Sequence, residues 1–229
     1  MPRPALDLRV YLVTDTGLCG ERGVPATVAA AVRGGVTIVQ LRDPDADDAS
    51  FVALGRALAA ELAGTGVPLI VNDRVHLVAE IGADGAHVGQ GDLDVATARA
   101  LLGPDALLGL SVQVPEELEA ALEAGLDAGL IDYLGVGPVW HQTTKAVPRP
   151  PLGVDGLAAV TAASPWPCVV IGGVDASRAA ACKGAGAAGL AVVSAVCGQP
   201  DPELAARTLR TAWDEAPAPG AAHAGRVGA

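Results

Sequence analysis

The chain has 229 residues, 51% of them hydrophobic and only 3% aromatic, and carries a formal net charge of −11 at pH 7. That acidic balance excludes a nucleic-acid backbone or an anionic membrane surface as the main partner, since both would repel it. No stretch reaches the roughly 20 apolar residues of a membrane span, and Met1-Pro-Arg-Pro4 runs into a strand without the apolar core of a signal peptide; a soluble cytoplasmic protein is expected. The four cysteines, Cys19, Cys168, Cys182 and Cys197, lie far apart with no C-x-x-C spacing. Reduced, buried thiols are expected rather than a zinc site or a disulfide framework.

Strand and helix signals alternate along the chain, as repeated βα units do. Val10-Tyr-Leu-Val-Thr-Asp15 reads as the first strand, followed by an amphipathic helix from Pro25 to Arg33 that Gly34-Gly35 closes. The second strand is Thr37 to Leu41, with a helix from about Ala49 to Ala63. Leu69 to Asn72 is the third, with a short helix over Val75 to Ile81; Gly85-Ala-His-Val88 is a weak fourth, with its helix from Asp94 to Leu102. Leu107 to Ser111 is the fifth strand, and Pro115 heads the next helix, a position where proline is tolerated. Asp132 to Val136 is the sixth, followed by a polar, proline-rich loop over Gly137 to Gly153 and a helix from Val154 to Ala163. Cys168 to Ile171 and Gly189 to Val193 are the seventh and eighth, with helices over Ala176 to Lys183 and Pro202 to Trp213.

Eight such units make an α/β chain of the (β/α)8 TIM-barrel class, a single domain over 1–214, with 215–229 as a disordered tail rich in Ala, Gly and Pro. An open doubly wound sheet would place a glycine-rich phosphate loop after its first strand. Asp15-Thr-Gly17 matches that poorly, and the glycine-rich turns follow strands seven and eight instead, where barrels commonly bind phosphate.

Barrel active sites lie at the C-terminal strand ends, so the polar residues that end each apolar run outline the pocket. They are Gln40 and Arg42, Asn72 and Asp73, Gln90 and Asp92, Ser111, the loop residues Thr143, Thr144 and Lys145, then Gly172-Gly173 and Ser194. The set suits phosphate: a guanidinium, an ammonium, hydroxyls, exposed backbone N–H groups, and two acids. Two carboxylates at neighbouring strand ends suit Mg²⁺, which takes one or two acids and completes its shell with phosphate and water. Each acid also has a structural reading as a helix N-cap. Arg42, amid Asp43, Asp45, Asp47 and Asp48, has a reading as a surface ion-pair partner. His87 is expected to pack or hydrogen-bond near the fourth strand, Trp140 to anchor its loop, and His141 to face solvent.

The collinear set Val39-Gln-Leu-Arg42, Val71-Asn-Asp73, His87-Val-Gly-Gln-Gly-Asp92, Gly135-Val-Gly-Pro138, Thr144-Lys145, Ile171-Gly-Gly173 and Val192-Val-Ser194 resembles the thiamine phosphate synthase family, from about Val10 to Thr208. The resemblance implies condensation of 4-amino-2-methyl-5-hydroxymethylpyrimidine diphosphate with hydroxyethylthiazole phosphate, releasing pyrophosphate. It implies Mg²⁺ on Asp73 and Asp92, and Arg42, Ser111 and Lys145 as catalytic groups. Substrate contacts would come from Gln40, Leu41, Arg42, Asp43, Pro44, Asn72, Ser111, Gln142, Thr143, Thr144, Lys145, Gly173, Val193 and Ser194. A homo-oligomer is left open.

Two positions depart from the family pattern. The family's Gln-Leu-Arg-acid-Lys run is Gln40-Leu-Arg-Asp-Pro44 here, so one cation is replaced by a residue with neither charge nor N–H; the family's Thr-x-Thr-Lys is Gln142-Thr-Thr-Lys145. Two other readings stay open: a thiazole tautomerase relative, which would need a general acid-base group rather than two metal-binding acids, and a non-catalytic phosphate-binding barrel.

Overall fold

The computed structural model describes residues 6–127, 129–142 and 150–218. Strands β1 (Val10–Val13), β2 (Ile38–Leu41), β3 (Leu69–Asn72), β4 (Gly85–Val88), β5 (Leu107–Val112), β6 (Tyr133–Val136), β7 (Cys168–Val170) and β8 (Gly189–Val192) close into one parallel barrel in sequence order. β1 meets β8 in register, with Val10 beside Leu190 and Leu12 beside Val192. The expected (β/α)8 architecture is therefore the observed one.

The strands are short apolar runs because both of their faces are covered. Alternate residues serve two buried clusters. Tyr11, Val13, Ile38, Ile70, Leu107, Tyr133, Val169 and Ala191 fill the interior. Val10, Leu12, Val39, Leu41, Val71 and Leu134 point outward to the helices. With so few aromatics, the outer layer is made almost wholly of Val, Leu, Ile and Ala, whose branched and small side chains interdigitate between strand and helix.

The outer ring comprises α1 (Thr16–Cys19), α2 (Val24–Arg33), α3 (Asp48–Leu62), α4 (Val78–Ile81), α5 (Val95–Leu102), α6 (Pro115–Glu123), α7 (Gly153–Ala163), α8 (Ala179–Gly184) and α9 (Pro202–Glu215). Carboxylates start several of them: Asp47 accepts from the Ser50 N–H, Asp94 from that of Thr97 and Asp201 from that of Leu204. α9 closes the seam by packing on the C-terminus of α2. Gly34 permits that approach, since a Cβ there would overlap the Glu203 carbonyl oxygen and lie 2.7 Å from Ala206 Cβ.

The structure differs from expectation in a few local places. β1 ends at Val13: the Thr14 N–H still donates to the Gln40 carbonyl at 2.9 Å, but Asp15 caps α1, and the segment forms α1 and a 3-10 turn over Gly20–Arg22. That segment is too short, and too interrupted by Gly17, Gly20 and Gly23, to show a helical period. The helices expected over Val75–Ile81 and Ala176–Lys183 each begin with a 3-10 turn, Val75–Leu77 and Ala176–Arg178. All four cysteines are free and buried, as expected. Among the described residues no helix is long and apolar enough to cross a membrane. The tail beyond 218 lies outside the described residues.

Candidate active site

Because all eight strands are parallel, everything that follows a strand shares one rim of the barrel. After β1 and β2 that rim is clamped by hydroxyls. Thr14, fully buried, accepts from the Arg42 N–H at 3.0 Å, and Thr16 Oγ1 donates to Asp43 Oδ2 at 2.7 Å. Between these loops lies an open pocket of about 490 Å³, lined by Asp15, Thr16, Gly17 and the run from Arg42 to Ala46. Three of the acids around Arg42 are otherwise employed: Asp43 accepts from Thr16, Asp47 caps α3, and Asp48 pairs with Arg74 at 2.9 Å. Arg74 also donates to the Asp43 and Ala46 carbonyls and lies 4.5 Å from the centre of the Phe51 ring, so it holds the second loop from below. Among the described residues the Arg42 guanidinium has no ion-pair partner, which removes the surface-pair reading.

Asp73 and Asp92 follow the adjacent strands β3 and β4 on that same rim. Asp73 continues the ladder, its N–H donating to the His87 carbonyl at 2.9 Å, and its carboxylate accepts from Asn72 Nδ2 at 2.7 Å. Its φ of 60° is left-handed, a conformation few residues other than glycine adopt. Asp92 closes a tight turn: one oxygen accepts from the Gly89 N–H at 2.7 Å while its own N–H donates to the Gly89 carbonyl at 3.3 Å. Helix α5 is capped by Asp94, so the capping reading does not hold for Asp92. Among the described residues no three His, Cys, Asp or Glu side chains gather as a metal cage. An acid pair of this kind fits Mg²⁺, whose remaining positions go to water and substrate phosphate, better than a metal held wholly by protein.

Inside the barrel, under the rim, runs a line of polar side chains. Gln40 Nε2 donates to the Tyr11 hydroxyl at 2.7 Å, and the Tyr11 and Tyr133 hydroxyls are 2.7 Å apart. The Tyr133 hydroxyl is 3.2 Å from His87 Nδ1, and His87 Nε2 is 2.9 Å from Ser111 Oγ. Burial pushes both phenols above the ordinary tyrosine range, so both stay protonated. Ser111 is further held by Gln90, whose Nε2 donates to its carbonyl at 2.7 Å.

Across the mouth, Gly172 and Gly173 pack against the start of the loop after β6. Trp140 donates its N–H to the Gly172 carbonyl at 3.0 Å, and a Cβ on Gly173 would come within 2.6 Å of the His141 carbonyl. Arg178 lies over the Trp140 ring, 4.6 Å from its centre, and donates to the Gly173 carbonyl. Trp140 thus anchors the loop, as expected, and His141 is exposed. After β8, the Val193 carbonyl receives the Val196 and Cys197 N–H groups in a turn that exposes Ser194.

The family model described as thiamine monophosphate synthase matches residues 10–196. The chain belongs to that family. It is 50% identical over 211 residues to the thiamine-phosphate synthase of Azorhizobium caulinodans, covering 92% of this chain and 97% of the relative. It is also 50% identical over 212 residues to the thiamine-phosphate synthase of Xanthobacter autotrophicus, covering 93% and 98%. The solved thiamine phosphate pyrophosphorylase of Pyrococcus furiosus superimposes with a TM-score of 0.79 at 30% identity, over 91% of this chain and 96% of that one.

Of the residues matched to thiamine monophosphate synthase motifs, the structure gathers Gln40, Arg42, Asp43, Pro44, Asn72, Asp73, Asp92, Ser111, Gly173, Val193 and Ser194 at one end of the barrel. Leu41 is fully buried toward the helices, so only its main chain can face a ligand. Gln142 is half-buried on the loop after β6; Thr143, Thr144 and Lys145 lie outside the described residues. Sequence reasoning missed Thr14, Thr16 and Arg74, which brace the Arg42 loop, and the two interior tyrosines. The tyrosines had a signal: they are the only two in the chain, and each sits in an apolar strand where its hydroxyl needs a partner.

Proposed function

We propose that the protein joins the pyrimidine diphosphate to the thiazole phosphate, as a thiamine-phosphate synthase does, with displacement of pyrophosphate. The observation that carries this reading is the pair Asp73 and Asp92 on neighbouring strand ends, in a chain of this family and on the same rim as Arg42 and Ser111.

Cleavage of the pyrimidine's methylene C–O bond leaves a resonance-stabilised cation and a pyrophosphate that gathers negative charge. The protein's task is to place donors and positive charge where that charge develops. Arg42, with no competing ion pair among the described residues, is available to the leaving group, and Ser111 adds a hydrogen bond. Mg²⁺ on Asp73 and Asp92 would neutralise phosphate charge and orient the leaving group. Asn72 steadies Asp73 and, by resemblance, helps place the pyrimidine diphosphate with Gln40. Gln142, Thr143, Thr144, Gly173, Val193 and Ser194 are assigned to the thiazole phosphate and Lys145 to the diphosphate, all by resemblance. The thiazole nitrogen then attacks the cation, so no side-chain nucleophile is required. The acidic protein would act in the cytoplasm.

The deciding experiment mixes both heterocyclic phosphates with the protein and Mg²⁺ and looks for thiamine phosphate. Asp92→Ala is expected to lower magnesium-dependent turnover by at least about a hundredfold, the scale of losing a group that stabilises transition-state charge. Near-normal turnover with undiminished metal affinity would remove Asp92 from the site. A thiazole tautomerase would show proton exchange without Mg²⁺, and an idle barrel would bind thiazole phosphate in a calorimeter without product.

A further inference from the structure

We propose that Tyr11, Tyr133 and His87 form a one-way hydrogen-bond relay, started by Gln40, that holds the Ser111 hydroxyl with its proton turned out toward the leaving diphosphate. The role given to Ser111 rests on the synthase reading above. The three relay members are positioning residues, since each acts through Ser111.

The direction follows from counting protons. The Gln40 amide nitrogen can only donate, and it donates to Tyr11. Tyr11 has one proton left to give, and Tyr133 lies 2.7 Å away. Tyr133 then gives its proton to His87 Nδ1, which places the ring's proton on Nε2, and Nε2 donates to Ser111 Oγ. Ser111 already accepts, so its own proton is free for the mouth of the barrel. Reversing the relay would make Tyr11 accept twice and leave its own buried O–H without an acceptor, a cost of about 1–3 kcal/mol. Since burial holds both phenols protonated, no link is lost by ionisation near neutral pH.

The barrel is also built around this line. His87 lies against β5 and β6 where both carry glycine. A Cβ on Gly109 would overlap His87 Nδ1 and the Tyr133 ring, and one on Gly135 would come within 2.8 Å of His87 Cε1. Interior positions of barrels are ordinarily filled by branched apolar side chains. Here two are left bare and five neighbours are polar, an arrangement that costs stability unless its hydrogen bonds are made.

Two measurements test the proposal. Nitrogen-15 NMR of the whole protein, without substrates, should show His87 protonated at Nε2 and bare at Nδ1; a proton on Nδ1 overturns the relay, whatever reaction the protein catalyses. In the synthase assay, Tyr133→Phe should lower kcat roughly tenfold, the loss of about 1.4 kcal/mol of transition-state stabilisation, with KM for the pyrimidine diphosphate changed less than about twofold. In a Ser111→Ala background, Tyr133→Phe should cost nothing further. An equal cost in both backgrounds would show a packing effect and sink the idea. Should Tyr133→Phe fold poorly, Tyr11→Phe breaks the relay one bond earlier and is read by the same cycle. A parent protein that makes no thiamine phosphate would defeat the functional reading alone and leave the NMR outcome to judge the relay.

Discussion

Asp73 is the single non-glycine among the described residues with a left-handed backbone. For an L-residue that conformation costs about 1–2 kcal/mol, and residues kept in it cluster where geometry matters more than stability. Asp73→Gly would remove the strain while enlarging the freedom of the unfolded chain, two effects of opposite sign. Denaturant titration should therefore find the variant as stable as the parent, or more stable by up to about 1 kcal/mol, while magnesium-dependent turnover collapses. A marked loss of stability would mean that the carboxylate holds the fold instead. Pro44 presents the opposite case, since it is exposed, lines the pocket beside Arg42 and brings no charge. The pocket wall counts Asp15, Asp43 and Asp45 against one guanidinium. Pro44→Lys is expected to lower KM for the pyrimidine diphosphate several-fold, on the scale of about 1 kcal/mol for a partly screened charge; an unchanged KM would place the diphosphate away from this wall. Residue types and order made these positions visible in the sequence. The left-handed turn, the bracing of Arg42 and the interior relay were not, because they depend on contacts between residues as far apart as Tyr11 and Tyr133.

At the scale of elements, the opposite end of the barrel is devoted to holding strands in register. Arg99, nine-tenths buried on α5, donates to the carbonyls of Gly103, Ala106 and Leu130 and pairs at 2.9 Å with Asp132, whose carboxylate in turn accepts from the Leu108 N–H. One guanidinium thus ties the end of its own helix to the entrances of β5 and β6. Removing it takes the counter-charge from the mostly buried Asp132 carboxylate and the donor from three carbonyls, so Arg99→Ala should lose about 3–5 kcal/mol in chemical denaturation, with KM unaltered in the protein that remains folded. Asp84, which accepts from the Leu69 N–H at 2.8 Å, does the same for β3. Strand positions were legible because each is a buried run bounded by Gly, Pro or Asp, and even the weak Gly85–Val88 segment is β4. Its glycine sits where a neighbour presses close: a Cβ on Gly85 would strike the Leu107 carbonyl. Less legible was α1, whose single turn depends on Asp15 accepting from the Leu18 N–H rather than on any apolar stripe.

For the whole molecule, eight repeats predicted closure, and the pattern of strand ends then sorted the polar residues onto one face before any contact was known. What composition could not convey was how an acidic protein accommodates diphosphate. The net charge of −11 is spread over helix caps and surface pairs such as Asp47, Asp94, and Glu203 with Arg33. Around the mouth, Asp15, Asp43, Asp73 and Asp92 each accept from a local donor. The family comparison removed the remaining ambiguity about which phosphate barrel this is, a matter that fold alone does not decide.

The pairing of Val10 with Leu190 has a consequence for biogenesis. A ribosome delivers β1 well before β8, the neighbour that covers its free edge, with six other strands made in between. Until then the nascent sheet carries two naked edges of Val, Leu and Tyr, the kind of surface that recruits chaperones or sticks to other chains. The last strand and the helix that follows it therefore act as a latch, and expression yield should be more sensitive to lesions there than to equally buried lesions in the middle of the chain.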